Sequence, residues 1–422
     1  MSETTAKVRK SLARRYRQEK RFQAYGIVSI GIGLLALLIL FTDIIGKGHS
    51  AFFEHYIQLE ISLDPDVLGV DDASDDEQLN YANFGGVIKE ALRERFPGVD
   101  DRQQQRQLYA LVSSGASYNL RDELKADPSL LGGTRDLWLL ADDDVDLYLK
   151  TSEKKRPEAR LGDQQKQWIE DLEAAGDTEK RFNASFFSSG DSREPELAGI
   201  GSAIVGSFFT MLVTLCLSFP IGVAAAIYLE EFAPRNKFTD FIEVNINNLA
   251  AVPSIIFGLL GLAIFLQFFG LPRSSPLVGG MTLALMTLPV IIIATRTALR
   301  SVPDSIRHAA FGVGCSRWQM VRDHVLPVAL PGIMTGSIIG LAQAMGETAP
   351  LIIVGMVAFI PDVTNSFTEA ATVLPAQIFT WAGEPDRAFI EKTSGGILVL
   401  LSILITLNAT AVVLRKKFER RW

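Results

Sequence analysis

Residues 302–331 read VPDSIRHAAFGVGCSRWQMVRDHVLPVALP, a short polar stretch between two long apolar runs. Ser301 followed by Pro303-Asp304-Ser305 is helix-starting chemistry, and a short helix is expected to run from there to about Phe311. Gly312 and Gly314 break it. A second helix is expected from Ser316 to about Val325, after which Pro327 and Pro331 bracket the entry to the next apolar run. The product is a helix–break–helix elbow. Trp318 and Met320, beside Arg317 and Arg322, make an apolar knob in a basic rim, which suits docking into a groove of another protein. The plainer alternative is an ordinary polar loop.

Working outward, a bilayer core requires about 20 apolar residues as a helix. Six segments approach that: Tyr25–Ile45, Ile200–Leu229, about Asn248–Phe269, Leu277–Leu299, about Leu330–Glu347 and Gly396–Leu414. A seventh run, Pro350–Pro361, is too short to cross and reads as re-entrant. The elbow then lies between the fourth and fifth spans. Basic residues set the orientation. Lys7, Arg9, Lys10, Arg14, Arg15, Arg17, Lys20 and Arg21 precede the first span. Arg415, Lys416, Lys417, Arg420 and Arg421 follow the sixth. Arg235 and Lys237 lie between the second and third, and Arg300, Arg307, Arg317 and Arg322 between the fourth and fifth. Six spans with both termini cytoplasmic put all four clusters on one side. The first span is expected to be an uncleaved anchor, because its apolar run is long and no small-x-small cleavage pattern follows it.

This topology places residues 46–195 outside. The segment contains 18 Lys/Arg and 31 Asp/Glu, a net of about −13 against −7 for the whole chain. The rest of the chain therefore carries about +6. An acidic soluble segment excludes a nucleic-acid partner. Tyr56–Leu63 alternates like a half-buried strand, Val87, Ile88, Ala91, Leu92 and Phe96 repeat at helical spacing, and Trp168, Ile169 and Leu172 mark a second amphipathic helix. A small α+β domain is expected. Its two acid runs, Asp71–Glu77 and Asp142–Asp146, lack the spacing of a calcium loop and read as solvated loops. Cys216 and Cys315 have no plausible partner and read as packing residues. No metal site is expected. The domain plan is thus a basic cytoplasmic N-terminus (1–24), the first transmembrane helix (25–45), an acidic periplasmic domain (46–195) and a five-helix body (196–422) whose coupling loop is 302–327.

The spacing of Ala309-Ala310, Gly314 and Leu326-Pro327 resembles the "EAA" loop of ABC-importer permeases. In those proteins the loop forms a coupling helix seated in a cleft of the ATPase subunit. His308 stands where the family has glutamate, and His324 where it has an aliphatic residue. Three further stretches narrow the resemblance to the phosphate-importer permeases, specifically the A-type subunit of the Pst system: 242–261 (IEVNINNLAAVPSIIFGLLG), 344–351 (AMGETAPL) and 188–200 (SSGDSREPELAGI). The resemblance runs from about residue 183 to the end. The outer insertion resembles the extra N-terminal domain carried by a subset of these permeases.

That resemblance implies an α-helical integral membrane protein of the type I ABC-importer permease fold, with the α+β insertion between helices 1 and 2. It implies a coupling site at His308, Ala309, Ala310, Gly314, Trp318, Leu326 and Pro327, and a path or gate near Arg296, Gln343, Glu347 and Thr348. Glu347 would repel phosphate and is read as structural or gating. Arg296 is either a cation of the path or a helix-end arginine reaching for the interface. Gln343 and Ile293 stand where relatives often carry arginine. Pro220, Pro289 and Ala251–Ser254 interrupt helices of the body, as breaks beside transport paths do. The chain has no GxxxxGK[ST] loop, no GxSxG, and its four histidines are scattered, so it is expected to bind no cofactor and catalyse nothing. ATP and magnesium would sit on the partner ATPase. The implied partners are a second permease subunit, two cytoplasmic ATPase subunits, a periplasmic phosphate-binding protein and the bilayer of a bacterial inner membrane. The rival readings are a permease for sulfate, molybdate or a phosphonate, and a membrane sensor that signals through its outer domain. The latter lacks a substantial inner module.

Overall fold

The computed structural model describes residues 3–151 and 160–418. The first helix, α1 (Glu3–Gly48), is one continuous rod of 46 residues. At 1.5 Å per residue it is about 69 Å long, so the basic leader and the first span form a single helix. Its apolar middle is exposed among the described residues. Its C-terminal end is fixed, where Gly48 lies against the last helix. A Cβ at Gly48 would sit 2.7 Å from the Ser394 carbonyl carbon, which is why the residue is glycine.

The outer domain is the expected α+β unit. Its three-stranded antiparallel sheet has β1 (Phe53–Ser62) in the centre, flanked by β2 (Thr134–Leu140) and β3 (Thr178–Phe182). Tyr56 faces Leu140 and Ile61 faces Arg135 on one side, while Phe53 faces Phe182 on the other. The alternation of β1 puts Ile57, Leu59 and Ile61 on one face, and Leu63 follows them into the core. Against that face pack α2 (Phe84–Arg95), through Val87, Ile88, Ala91 and Leu92, and α4 (Asp163–Ala175), through Trp168, Ile169 and Leu172. Asn83 caps α2 by accepting from Gly86 N, and Phe96-Pro97-Gly98 ends it, with Gly98 at φ 96°. Between β2 and α4 lies α3 (Asp143–Lys150).

The membrane body contains α5 (Gly201–Ile227), α8 (Pro276–Arg300), α10 (Leu326–Met345) and α13 (Ala388–Phe418). With α1, these give, among the described residues, five helices long and apolar enough to cross a membrane. The expected straight third span at 248–269 is not what forms. Instead α6 (Lys237–Ala250) and α7 (Ser254–Gly261, continued to Phe268) meet at a bend of 101°. Pro253 has no N–H and holds the preceding residue out of helical geometry, so the chain turns at Val252-Pro253. Counted as one broken span, this pair makes six.

The fifth span also differs from expectation. The second arm of the elbow and the span form one helix from Arg317 to Met345. A widened turn over Met320–Val325 accommodates Pro327, whose ring would otherwise strike the carbonyl four residues back. The short apolar run after the fifth span forms α11 (Ala349–Ile353). Leu351, Val354 and Met356 are buried beside Leu283 and Val373. A last short helix, α12 (Leu374–Ala382), precedes α13. Small residues allow α5 and α8 to approach closely: Thr214 Oγ1 donates to Gly280 O at 3.1 Å, and a Cβ on Gly280 would fall 2.5 Å from Val213 Cβ. Arg420 and Arg421 lie outside the described residues.

Candidate functional site

The first arm of the elbow is α9 (Asp304–Gly312), and Gly314 follows at φ 87°, a backbone angle that favours glycine. Ser316 caps the second arm reciprocally with Gln319. Ala310 is buried in the hinge between the arms, and His308 and Ala309 face outward. The exposed apolar surface comprises Phe311, Val313 and Trp318, at 49%, 78% and 56% exposure. Met320, expected in the knob, is instead buried at 2% and packs beneath the elbow with Val321 and Val325. It lies on the opposite side of the helix from Trp318, because two residues turn a helix through about 200°. Leu326 and Pro327 are half-buried. Pro327 and His324 line a cleft of about 470 Å³ between the arms. Of the basic rim, Arg317 lies over the Phe232 ring at 5.8 Å and Arg322 is paired with Asp323 at 2.7 Å.

Arg307, the loop's other basic residue between the spans, turns inward. Its Nη2 lies 2.7 Å from Glu231 Oε1 and donates to Leu299 O, while Nη1 donates to Val302 O. Glu231 is 8% exposed. The guanidinium therefore ties α9 to the ends of α5 and α8 at once. The neighbouring Glu230 anchors a second cluster. Arg296 lies 3.3 Å from Glu230 and 2.5 Å from Glu243, and Arg300 lies 2.9 Å from Glu230. Arg296 is thus neither a free cation nor a snorkelling side chain. It cross-links the end of α5 to α6 and α8. The consecutive carboxylates of Glu230-Glu231 were not singled out in the sequence, although an acidic pair at the end of a span is a visible cue.

Gln343 and Glu347 come together in a cavity of about 150 Å³. Its other walls include Ala250, Val252, Ser254 and Phe257 at the bend between α6 and α7, Thr287 and Val290 of α8, and Gly340 of α10. Thr348, which precedes α11, and Arg296 are not among its walls. The expected path residues therefore separate into a polar cavity at the helix break and an ion cluster nearer the C-terminal end of α8.

The outer domain is locked to the membrane body by charge. Lys150, at the end of α3, lies 2.6 Å from both Asp146 and Glu391 of α13, and His55 lies 2.8 Å from Asp146. Asp146 is therefore half-buried and paired rather than solvated as the sequence led us to expect. Burial works against its charge, but His55 and Lys150 outweigh it and hold its carboxyl below the usual range. Burial pushes Glu54 up and carries Glu196 to about 7. Burial together with carboxylate neighbours carries Asp142 to about 8 and Asp143 to about 6. Trp381 Nε1 donates to Asp191 at 2.9 Å, a further tie between the lead into α5 and α12.

The family model described as "Binding-protein-dependent transport system inner membrane component" matches residues 218–422. "Domain of unknown function (DUF3333)" matches residues 9–158, which take in most of α1 and much of the outer domain. "Phosphate transport system permease protein PstA 1" of Mycobacterium tuberculosis is 30% identical over 224 residues, covering 53% of this chain and 72% of that protein. The PstA permease of Yersinia pestis is 30% identical, covering 52% and 73% respectively. "Probable ABC transporter permease protein YqgI" of Bacillus subtilis is 36% identical over 155 residues. That match covers 36% of this chain and about half, 52%, of YqgI. Among solved structures, the inward-facing MetNI methionine transporter aligns over 53% of this chain and 95% of its own at 16% identity, with a TM-score of 0.40.

Proposed function

Because the chain belongs to the family of inner-membrane components of binding-protein-dependent ABC importers, we propose that it is the permease subunit through which inorganic phosphate is imported. The observation that carries the substrate is the similarity to PstA permeases over half of the chain. The chain is a transporter subunit and not an enzyme. It works with a second permease, two cytoplasmic ATPase subunits and a periplasmic phosphate-binding protein, in the inner membrane with both termini cytoplasmic.

The geometry supports a mechanical reading. A partner ATPase grips Phe311, Val313 and Trp318 on the exposed side of the elbow. Arg307–Glu231 transmits the pull to α5, and the adjacent Glu230 passes it through Arg296 and Glu243 to α8 and α6. Those helices form walls of the Gln343–Glu347 cavity, where the break at Pro253 permits a gate. In this reading Glu347 gates and Gln343 lines the path. Thr348 sets the turn into α11, and Arg296 is a strut, not a phosphate ligand. ATP and magnesium are held by the partner ATPase alone.

Radiolabelled phosphate uptake, in a strain lacking its own phosphate permease and expressing this chain with its partners, tests the substrate. Phosphate accumulation with sulfate excluded is expected. Sulfate, molybdate or phosphonate uptake in its place would refute the assignment, and Glu347→Gln is expected to abolish accumulation while the complex still assembles.

A further inference from the structure

Four phenylalanines at the base of the outer domain form a ridge that transport leaves unused. Phe52 stacks on Phe187 at 5.8 Å between ring centroids, and Phe187 stacks on Phe182 at 5.9 Å. The register of β1 and β3 sets Phe53 directly opposite Phe182, with the rings edge to face at 6.2 Å. These rings are not core. Phe53, Phe182 and Phe187 are 37%, 59% and 37% exposed, whereas the neighbouring Phe186 is fully buried. Lys180 Nζ lies 4.8 Å over the Phe53 ring, and among the described residues it makes no ion pair.

Two close packings fix where the ridge stands. Gly48, the last residue of α1, lies against Ser394, and a Cβ on Gly395 would fall 2.7 Å from Ala51 Cβ. The end of α1 and the start of α13 are thereby held side by side, and Phe52 and Phe53 follow at once in the chain. The apolar run of α1 ends at Ile45 and that of α13 begins at Gly396. The ridge is therefore within about two helical turns of the hydrocarbon edge. A groove of about 700 Å³ leads from Phe52 and Phe187 along α13, past Leu398 and Leu407. The hydroxyls of Ser402, Thr406 and Thr410, which also line it, all donate to carbonyls of their own helix. The groove offers no free hydroxyl proton, which suits an acyl chain. Contiguous exposed rings are costly in water and mark a contact surface. Rings at the boundary of headgroups and acyl chains, with a lysine reaching outward to phosphate, are how interfacial segments seat on a bilayer.

We propose that Phe52, Phe53, Phe182 and Phe187 insert at the boundary between headgroups and acyl chains, with Lys180 at the level of the lipid phosphates, so that the outer domain is seated on the membrane through its β1–β3 edge. The occupant is phospholipid because the ridge runs on into a face of α13 whose most apolar stretch is only 6% buried, and because the one charge over the rings is a cation. The proposal rests on α1 and α13 crossing the membrane and is independent of the substrate carried.

The experiment is spin-label accessibility on the full chain, assembled with its partner subunits in nanodiscs of phosphatidylethanolamine and phosphatidylglycerol. Cys216→Ala and Cys315→Ala remove the native thiols, and Phe182→Cys or Phe187→Cys supplies the label site. Oxygen concentrates in hydrocarbon, and a neutral nickel chelate stays in water. At both sites oxygen collisions are expected to exceed nickel collisions by about threefold or more. Tyr81→Cys and Tyr118→Cys, at outer-domain rings that are 87% and 60% exposed, should show the reverse. Leu38→Cys, in the apolar run of α1, supplies the hydrocarbon reference. If either ridge variant fails to assemble, Phe53→Cys takes its place and must give the oxygen-dominated pattern. A water-like label at Leu38 overturns the membrane crossing of α1 and the ridge with it. A hydrocarbon-like Leu38 label with nickel-dominated collisions on the ridge overturns the ridge alone. So do ridge labels reached by neither probe, the mark of a protein partner covering the rings.

Discussion

Breaking the Arg307–Glu231 pair should loosen the elbow from the membrane body. The pair is shielded, with side-chain exposures of 16% and 6%. Arg307 makes two close contacts to Glu231, at 2.7 Å and 3.2 Å, and keeps bonds to Leu299 O and Val302 O when the carboxylate is removed. Removing one partner of a buried pair costs about 3–5 kcal/mol when nothing else holds the survivor. The retained carbonyl bonds cut this to about 2–3 kcal/mol for Glu231→Ala. The assay is a double-mutant cycle on unfolding of the purified chain, using Glu231→Ala, Arg307→Ala and the double variant. A coupling of at least about 1 kcal/mol is expected, so the double variant should be little worse than the poorer single one. ATP-driven uptake should fall in all three variants, with the ATPase still bound, since Phe311, Val313 and Trp318 are untouched. Additive losses with a coupling near zero, or uptake at parental level in Glu231→Ala, would refute the claim that this pair carries the stroke.

Trp318→Ala should leave stability within about 0.5 kcal/mol, since the side chain is mostly exposed, yet it should reduce co-purification of the ATPase subunit by more than tenfold; retention of the partner would remove Trp318 from the docking surface. Gly280→Val should destabilise the body by at least about 2 kcal/mol, because its Cβ would meet Val213 Cβ at 2.5 Å. A parental unfolding midpoint would show that α5 and α8 can separate freely. Glu54 titrates above its ordinary value because it is buried, so the folded chain holds this proton more tightly than the unfolded chain. Its contribution is fully present below about pH 4.5 and is lost as the pH rises through the raised value. Glu54→Gln should therefore flatten the fall in unfolding midpoint as the pH rises above about 4.5, and an unchanged slope would exclude Glu54 as its source.

Much of this protein is legible in its sequence, because the period of apolar residues and the placement of Gly and Pro act locally. The alternation at Tyr56–Leu63 sufficed to identify β1, the spacing through Val87 and Leu92 gave α2, and runs of about 20 apolar residues located four of the body's helices and α1. The elbow was readable from Pro303, Gly314 and Ser316, since caps and positive-φ glycines are local requirements. Tertiary packing decided the rest. Val252-Pro253 announces a break, but the 101° bend depends on what α7 packs against. Pro327 looked like a stop, yet a widened turn carries the helix through it. Whether Met320 or Phe311 faces a partner depends on which side of the elbow the neighbouring helices cover. Charge pairing lies furthest from the sequence. Arg296 read as either a path cation or a helix-end arginine, and Arg307 only as one of the loop's basic residues, until the fold brought Glu230, Glu231 and Glu243, more than fifty residues away along the chain, to within about 3 Å of them. Coulomb energies depend on distances in space, and a linear chain fixes those distances only once its helices have docked.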